Sequence, residues 1–380
     1  MWRNHEKKDK RIKQITSLLG DGNITRNYYE CEKCHSHAIP KDRLLGIENT
    51  SFTPGVIYAT SKLAGNDAFR SSSEALKELC GIDVTSKETE RIAESIGERL
   101  EEINQQKTTE AFDGSKTSTP EMTIPIMYIE YDGTGVPMTK RELEGRQGKQ
   151  EDGTSKTREA KLGCIFTQTD TDEKGNPIRD SNSTTYFGAI ETAAQFGMRL
   201  YGEATQRGVH SAEKVVIIGD GAKWIWNVAA EHFPNAIEIV DLYHAKEHVY
   251  NLIKKLFSDD NRRYHYKKKW FSLLEKGDID DLVTEFSLIE ARTAEQQEAI
   301  DKETGYFTEN ALRMQYKNFK RQHLFVGSGV IEAGCKNVIG KRLKQSGMRW
   351  SVRGANAVIA LRCSILSDTF GHSFKQLFSA

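Results

Sequence analysis

From residue 71 to 104 apolar positions recur at helical spacing, and the period is broken at Gly81. Ser71-x-x-Glu74 and Thr85-x-x-Glu88 both fit the capping box, in which side chains satisfy backbone donors that the first helical turn leaves orphaned. The pattern predicts two helices joined by a short turn, with Ala75, Leu76 and Leu79 packing on Ile92 and Ile96. A helix-turn-helix that enters a DNA groove has this signature, and so does any helical hairpin. Periodicity is lost from Gln105 to Met122, which fills with Thr, Ser, Lys and Gly and reads as a linker. Beyond it the period shortens. Residues 124–131, 161–168 and 184–190 are apolar-rich runs of strand length. The last two are separated by the turn sequence Lys174-Gly175-Asn176-Pro177, and so short a connection favours antiparallel neighbours. Helical spacing returns over 191–207, followed by a strand at 215–218, a helix at 222–232 and a strand at 237–240.

Strand, strand, strand, helix, strand, helix, strand is the element order of the ribonuclease-H-like fold. The expected fold class is therefore α/β, with a mixed five-stranded sheet whose first three strands are antiparallel and whose next two add in parallel. The first and fourth strands then lie side by side at the middle of the sheet. From Tyr250 to about Arg321 the sequence is charged, helical and without strand signals, and it contains Lys267-Lys268-Lys269-Trp270. This segment is expected to be an all-helical insertion, serving either as spacing and packing or as a contact to DNA or a second subunit. Helices are expected again at 328–344 and 355–366. The domain boundaries that follow are an N-terminal segment at 1–50, a small helical, helix-turn-helix-like DNA-binding region at 51–106, the linker at 107–122, the first part of the core at 123–249, the insertion at 250–325, and the C-terminal helices of the core at 326–380.

Length and charge narrow the classes. A chain of 380 residues holds two domains, or one domain with a large insertion. With 54 basic and 54 acidic side chains the net charge is zero, so any surface for a polyanion has to be local. No apolar run approaches the roughly 20 residues of a membrane span, and no secretory signal opens the chain, which points to a cytoplasmic protein. Of the cysteines at 31, 34, 80, 164, 335 and 363, only Cys31 and Cys34 share a motif spacing. A Cys-x-x-Cys knuckle is half of a zinc site, to which His35 or His37 can add a third ligand; the other half is not evident. The alternative is a pair of reduced, partly exposed thiols.

The candidate chemistry lies in acids that follow strand-like runs. Asp132-Gly133 closes the run at 124–131, Gly219-Asp220-Gly221 closes the run at 215–218, and Glu332 stands downstream on a helix. Magnesium takes oxygen ligands and binds through one or two carboxylates together with substrate phosphates. Two such ions about 4 Å apart serve an in-line displacement at phosphorus. Asp132 is expected to bridge two Mg²⁺ ions, or Mn²⁺ in their place, with Asp220 and Glu332 each completing one. Either Asp-Gly pair alone reads better as a turn; both pairs at strand ends of one fold order, with a downstream acid, do not. Asp241 and His244 occupy a strand end and helix start, where Asp241 either caps the helix or approaches the metals with His244. Lys336 is one turn after Glu332 and either holds a phosphate or pairs with that glutamate.

Between Ala333 and Ser367 stand seven basic residues and no acid. Lys336, Lys341, Arg342, Lys344, Arg349 and Arg353 are the candidate DNA contacts from this run. Trp350 either stacks on an unpaired base or packs in the core. Of Trp224 and Trp226, at least one is expected in the core.

Five stretches carry a family resemblance: Tyr131-Asp132-Gly133-Thr134-Gly135, Arg158-Glu159-Ala160-Lys161-Leu162-Gly163, Gly219-Asp220-Gly221-Ala222-Lys223-Trp224-Ile225-Trp226-Asn227, Asp241-Leu242-Tyr243-His244-Ala245-Lys246-Glu247-His248, and Met348-Arg349-Trp350-Ser351. Through them the chain resembles the DDE transposases of the bacterial ISKra-type insertion-sequence family, related to Mutator-like transposases. The resemblance runs from about Tyr28 to the C-terminus. It implies Asp132, Asp220 and Glu332 as a catalytic triad and Asp241-x-x-His244 as an accessory motif. It also implies DNA partners, namely terminal inverted repeats and target DNA, a homo-oligomer that holds two ends together, and a nucleoid-associated protein in the bacterial cytoplasm. The region before Cys31 is short for the family, so that part of the N-terminal recognition or zinc elements is expected to be missing. Two rivals are a non-catalytic DNA-binding protein derived from a transposase and a ribonuclease-H-like nuclease that cuts DNA without joining it.

Overall fold

The computed structural model describes residues 5–115, 123–148 and 155–378. The chain divides into two compact units, Met1–Ile103 with Gly340–Ala380, and Asn104–Ile339.

The first unit opens on a β-ribbon that the hydrophobic pattern does not signal. Strand β1 (His5–Ser17) pairs antiparallel with β2 (Gly20–Cys31), from His5↔Cys31 to Ser17↔Gly20, and the short β3 (His37–Ala38) adds at Tyr29 and Glu30. Most side chains of β1 are charged or polar and exposed, so no apolar alternation marks it. Helices α1 (Pro40–Leu44), α2 (Pro54–Asn66), α3 (Phe69–Cys80) and α4 (Ser86–Asp113) follow. Gly81 closes α3 in the left-handed region at φ 66°, and the Thr85 hydroxyl accepts from the Glu88 N–H at 3.2 Å to start α4. Ser71, by contrast, lies inside α3, which begins at Phe69 after Ala68, so no capping box forms there. Leu76, Ile92 and Ile96 meet in the core as expected, whereas Leu79 is 81% exposed. Residues 105–113, expected as linker, continue α4: Gln, Lys and Glu sustain a helix without apolar periodicity. Residues 116–122 of that linker lie outside the described residues.

The second unit is built on a five-stranded sheet. In chain order come β4 (Ile124–Pro137), α5 (Lys140–Leu143), β5 (Thr157–Gln168), the small hairpin β6 (Asp170–Thr171) and β7 (Pro177–Ile178), then β8 (Thr185–Ala189), α6 (Ala193–Gln206), β9 (Ala212–Gly219), α7 (Lys223–His232) and β10 (Ile237–Val240). The strand order is β10-β9-β4-β5-β8. β4/β5 and β5/β8 are antiparallel, and β4/β9 and β9/β10 are parallel. This mixed α/β arrangement is compatible with the ribonuclease-H-like order read from the sequence. The hairpin turn is fixed by Asp172, whose carboxylate accepts from the N–H groups of Lys174 and Asn176.

After β10 the chain is helical through α8 (Leu242–Leu256), α9 (Asp260–Lys276), α10 (Ile279–Ser287), α11 (Ala294–Glu309) and α12 (Tyr316–Arg321). Trp270, Phe286 and Phe307 stack edge to face at its centre, 4.8 and 5.6 Å apart. Helix α13 (Gly329–Gly334) carries Glu332 and runs into a π-helical turn, Cys335–Gly340. The single helix expected over 328–344 is thus three pieces, of which the last is α14 (Lys341–Leu343).

From Gly340 on, the residues belong to the first unit and not, as the sequence suggests, to the core with the sheet. Helices α15 (Val352–Leu366) and α16 (Phe370–Phe378) explain why: Ala360, Leu361, Phe370 and Phe374 share one core with Val56, Leu76, Ile92 and Leu100. A Cβ on Gly97 of α4 would stand 2.1 Å from the Ala357 carbonyl oxygen, so α4 and α15 touch backbone to backbone and only glycine fits.

Candidate active site

The parallel pairing of β4 with β9 ends at Glu130↔Ile218. Asp132 stands two residues further along β4, and Asp220 is the first residue after β9. The sheet therefore delivers both acids at the same end of two neighbouring strands. One expectation needs correction: β4 does not stop at Asp132. It stays paired with β5 as far as Pro137↔Thr157, and Gly133 is a strand residue opposite Lys161. A Cβ at Gly133 would lie 2.6 Å from Glu159 Oε1. At Asp220 the turn is real. Gly221 has φ +94°, and the Asp220 carboxylate accepts from the Ala222 N–H at 2.9 Å.

Asp132, Asp220, His244, Glu247, Lys320 and Glu332 line one open cleft of about 1210 Å³. Asp132 is part-buried; its Oδ1 accepts from the Gly133 N–H at 2.6 Å, and its Oδ2 lies 3.8 Å from Cys335 Sγ on the π-helical turn. Burial holds its carboxyl above the ordinary range, and the like charge of Asp220 pushes the same way. Among the described residues no three His, Cys, Asp or Glu side chains close around one ion position. The cleft presents separate hard oxygen donors, one of them under like-charge strain that a cation relieves. That donor set fits a divalent ion sharing its ligands with a phosphate.

Asp241 is buried and does not line the cleft. Its Oδ1 accepts from the His244 N–H at 2.6 Å, capping α8, and its Oδ2 accepts from the Ser328 N–H. Both oxygens are thus committed to backbone donors. Of the two roles open in the sequence, the cap is the one observed, and Asp241 ties the start of α8 to the entry of α13.

Several residues of the site escaped the sequence reading. The His244 ring packs edge-on against His248 at 5.0 Å; His248 lies flat on Tyr306 at 4.0 Å and reaches Glu303 through Nδ1 at 2.6 Å. The Tyr306 hydroxyl donates to the Asp220 backbone carbonyl at 3.0 Å. Helix α11 thereby braces the Asp220 turn, and nothing local in its sequence announces this. Glu130 was legible in principle, as one acid in an apolar strand, two residues before Asp132 and so on the same face. It is completely buried. Its Oε2 accepts from the Ile331 N–H at 2.9 Å, its Oε1 has no hydrogen-bond partner among the described residues, and burial pushes its pKa up to about 8. Glu130 thus anchors the backbone next to Glu332.

The basic run after Ala333 divides. Lys336, Lys341, Lys344 and Arg349 are exposed. Arg342 is fully buried: its Nε donates to the Ala64 carbonyl at 2.8 Å, and its guanidinium stacks over Phe69 and Trp350. Trp350 is buried as well, donating to the Leu343 carbonyl at 2.9 Å. These two are core residues of the first unit and not DNA contacts. Arg353 pairs with Glu98 through two bonds. Trp226 is buried, as expected for one of the tryptophan pair.

At the N-terminal knuckle, Cys31 accepts from the His35 N–H and donates to the Ser36 carbonyl, both at 2.9 Å, through its backbone. Hydrogen bonding from Ser36 lowers the pKa of the Cys34 thiol. A structural zinc takes four ligands. Two sulfurs without a converging third donor among the described residues do not fit one.

Fold and cleft together define an α/β protein with a mixed five-stranded sheet and an acid-lined cleft at the end of its central parallel pair. The chain belongs to the uncharacterised protein family UPF0236, whose model matches residues 2–371. Among solved structures it matches a chain of the Drosophila P element transposase strand transfer complex at 8% identity, covering 90% of this chain and 84% of that one, with a TM-score of 0.28. So low a score establishes no shared fold, and no functional conclusion follows from it. No curated protein matches the sequence. Among the described residues no helix is long and apolar enough to cross a membrane.

Proposed function

We propose that the chain is a DNA transposase of the DDE type, with a ribonuclease-H-like core, that cuts and joins the ends of an insertion sequence. The observation that carries this reading is the convergence of Asp132, Asp220 and Glu332 on one cleft from points far apart in the sequence. In this reading the three carboxylates hold two Mg²⁺ ions, or Mn²⁺. Bound there, the metals supply an activated attacking oxygen and neutralise the leaving one.

The chain's own residues do the rest. Gly133 fixes one oxygen of Asp132, the Ala222 N–H fixes one of Asp220, and Tyr306 holds the backbone between β9 and α7. Asp241 sets the first turn of α8, which leaves the His244 ring at the cleft to accept a proton or hold a phosphate. Lys320 in the cleft and Lys336 beyond Glu332 attract the DNA backbone. The substrates are terminal inverted repeats and target DNA, two ends are held by at least a dimer, and the element is of the ISKra type, acting at the bacterial nucleoid.

The test is joining of labelled DNA ends, taken from the sequence flanking the gene, to a plasmid in Mg²⁺ or Mn²⁺. Wild type is expected to join ends, and Asp132→Asn and Glu332→Gln to bind DNA without joining it. A wild type that cuts but never joins is a nuclease, and one that binds without cutting is a DNA-binding protein.

A further inference from the structure

The β1–β2 ribbon has one face whose central side chains are not engaged by hydrogen bonds among the described residues. Residues opposite one another in an antiparallel ladder share a face. One face is turned to the protein: the Lys13 ammonium donates to the Ile47 carbonyl at 2.8 Å, and both Lys13 and Arg26 pair with Asp42. The other face carries the pairs Lys10↔Asn27, Ile12↔Thr25 and Gln14↔Asn23. None of these six side chains makes a hydrogen bond among the described residues, and Ile12 is 72% exposed. The next pair on this face, Thr16↔Asp21, lies at the hairpin end, where the Asp21 carboxylate accepts from the Thr16 hydroxyl at 2.7 Å.

Its composition is unusual for a merely solvated strand surface. Asparagine is depleted in strands because its side chain competes for backbone partners. Here two asparagines and a glutamine share a single face with a lysine, and the acid of that face, Asp21, is tied to Thr16 at the hairpin end. We propose that this face reads base-pair edges in the major groove of duplex DNA, an inference that rests on the transposase reading above. A major groove about 12 Å wide admits a two-stranded ribbon. Asn and Gln match the paired donor and acceptor of adenine, Lys matches the acceptors of guanine, and the methyls of Ile12 and Thr25 suit thymine. The residues that hold the ribbon to the protein are on the opposite face, so reading DNA requires no rearrangement of the fold.

The experiment presents full-length protein with a pool of randomised duplexes, without added divalent metal, and sequences what is retained over repeated rounds. Wild type is expected to enrich a motif. The combined variant Gln14→Ala, Asn23→Ala, Asn27→Ala is expected to keep the wild-type melting temperature and its binding to unselected DNA, but to lose preference for that motif by about tenfold or more. Lys10→Ala is expected to weaken binding to the selected duplex while leaving the motif recognisable. A triple variant that enriches the same motif with undiminished preference overturns the proposal, as does a wild type that enriches none. A variant that changes only self-association in sedimentation makes the face a protein interface and also overturns it. Asp132→Asn is carried alongside and is expected to select the wild-type motif. A wild type that selects a motif yet never joins ends removes the transposase chemistry and leaves the ribbon's role standing.

Discussion

Tyr306 donates its hydroxyl to the backbone carbonyl of Asp220 across 86 residues of sequence, while its ring lies flat on His248. The bond fixes the turn that presents the Asp220 carboxylate. Tyr306→Phe keeps the stacking and removes the bond. Losing one hydrogen bond to a partly buried carbonyl costs about 1–3 kcal/mol. If that cost falls on site geometry, end joining drops roughly 5- to 150-fold, with DNA affinity unchanged. Joining at the wild-type rate would remove Tyr306 from the site.

Asp241 uses one carboxylate oxygen at each of two helix starts, so its loss is felt twice. Asp241→Ala is expected to destabilise the protein by about 2–4 kcal/mol, from a lost cap of about 1 kcal/mol and an orphaned Ser328 N–H. Asp241→Asn, which still caps, is expected to cost less. Urea denaturation measures both, and equal stability of Asp241→Ala and wild type would contradict the bracket.

Glu130 gives the folded state a definite pH dependence. Its folded pKa, about 8, lies above the ordinary 4.5 of an exposed glutamate. The neutral form is favoured in the fold, so its stabilising effect is fully present below the unfolded pKa. As pH rises from about 4.5 the unfolded state releases the proton first, and stability falls until about pH 8. Glu130→Gln is expected to flatten this decline and to melt at a higher temperature than wild type near pH 8. Parallel melting curves across pH 5–8 would show that Glu130 does not titrate this way.

Arg342 and Arg349 look alike in the sequence and differ in the fold. Arg342→Ala leaves the Ala64 carbonyl unpaired and a void between Phe69 and Trp350, and is expected to cost about 3 kcal/mol or more of stability. Arg349→Ala is expected to leave stability within about 0.5 kcal/mol and to reduce the salt dependence of DNA binding by about one phosphate contact. Chemical denaturation and salt titration separate the two.

The sheet was legible because each of its strands contains an apolar run of strand length, and a buried strand leaves few alternatives to that pattern. Asp132 and Asp220 stand out in the sequence because each follows an apolar run, and Glu332 as an acid on a later helix; the cleft lining brings the three together. Tyr306, His248 and Glu303 were not, because what gives them a place at the site is contact between α8, α11 and the β9–α7 turn, which has no local spacing. Arg342 misled for a related reason: a cation in a basic run reads as surface unless the aromatic rings that enclose it are known, and Phe69 lies far upstream. The ribbon was missed because a strand with one solvated face and charged ends carries almost no hydrophobic signal.

The first unit draws its core from both ends of the chain, with Phe370 and Phe374 filling a space bounded by Val56, Leu76 and Ile92. During synthesis those three residues emerge early, and the residues that cover them emerge last. The contiguous second unit, with its cleft, can complete itself while the first still waits for α15 and α16. A released chain cut short anywhere between residues 340 and 370 therefore keeps every residue of the acidic cleft while the unit carrying the ribbon still exposes an open apolar core, a state that invites chaperones or aggregation.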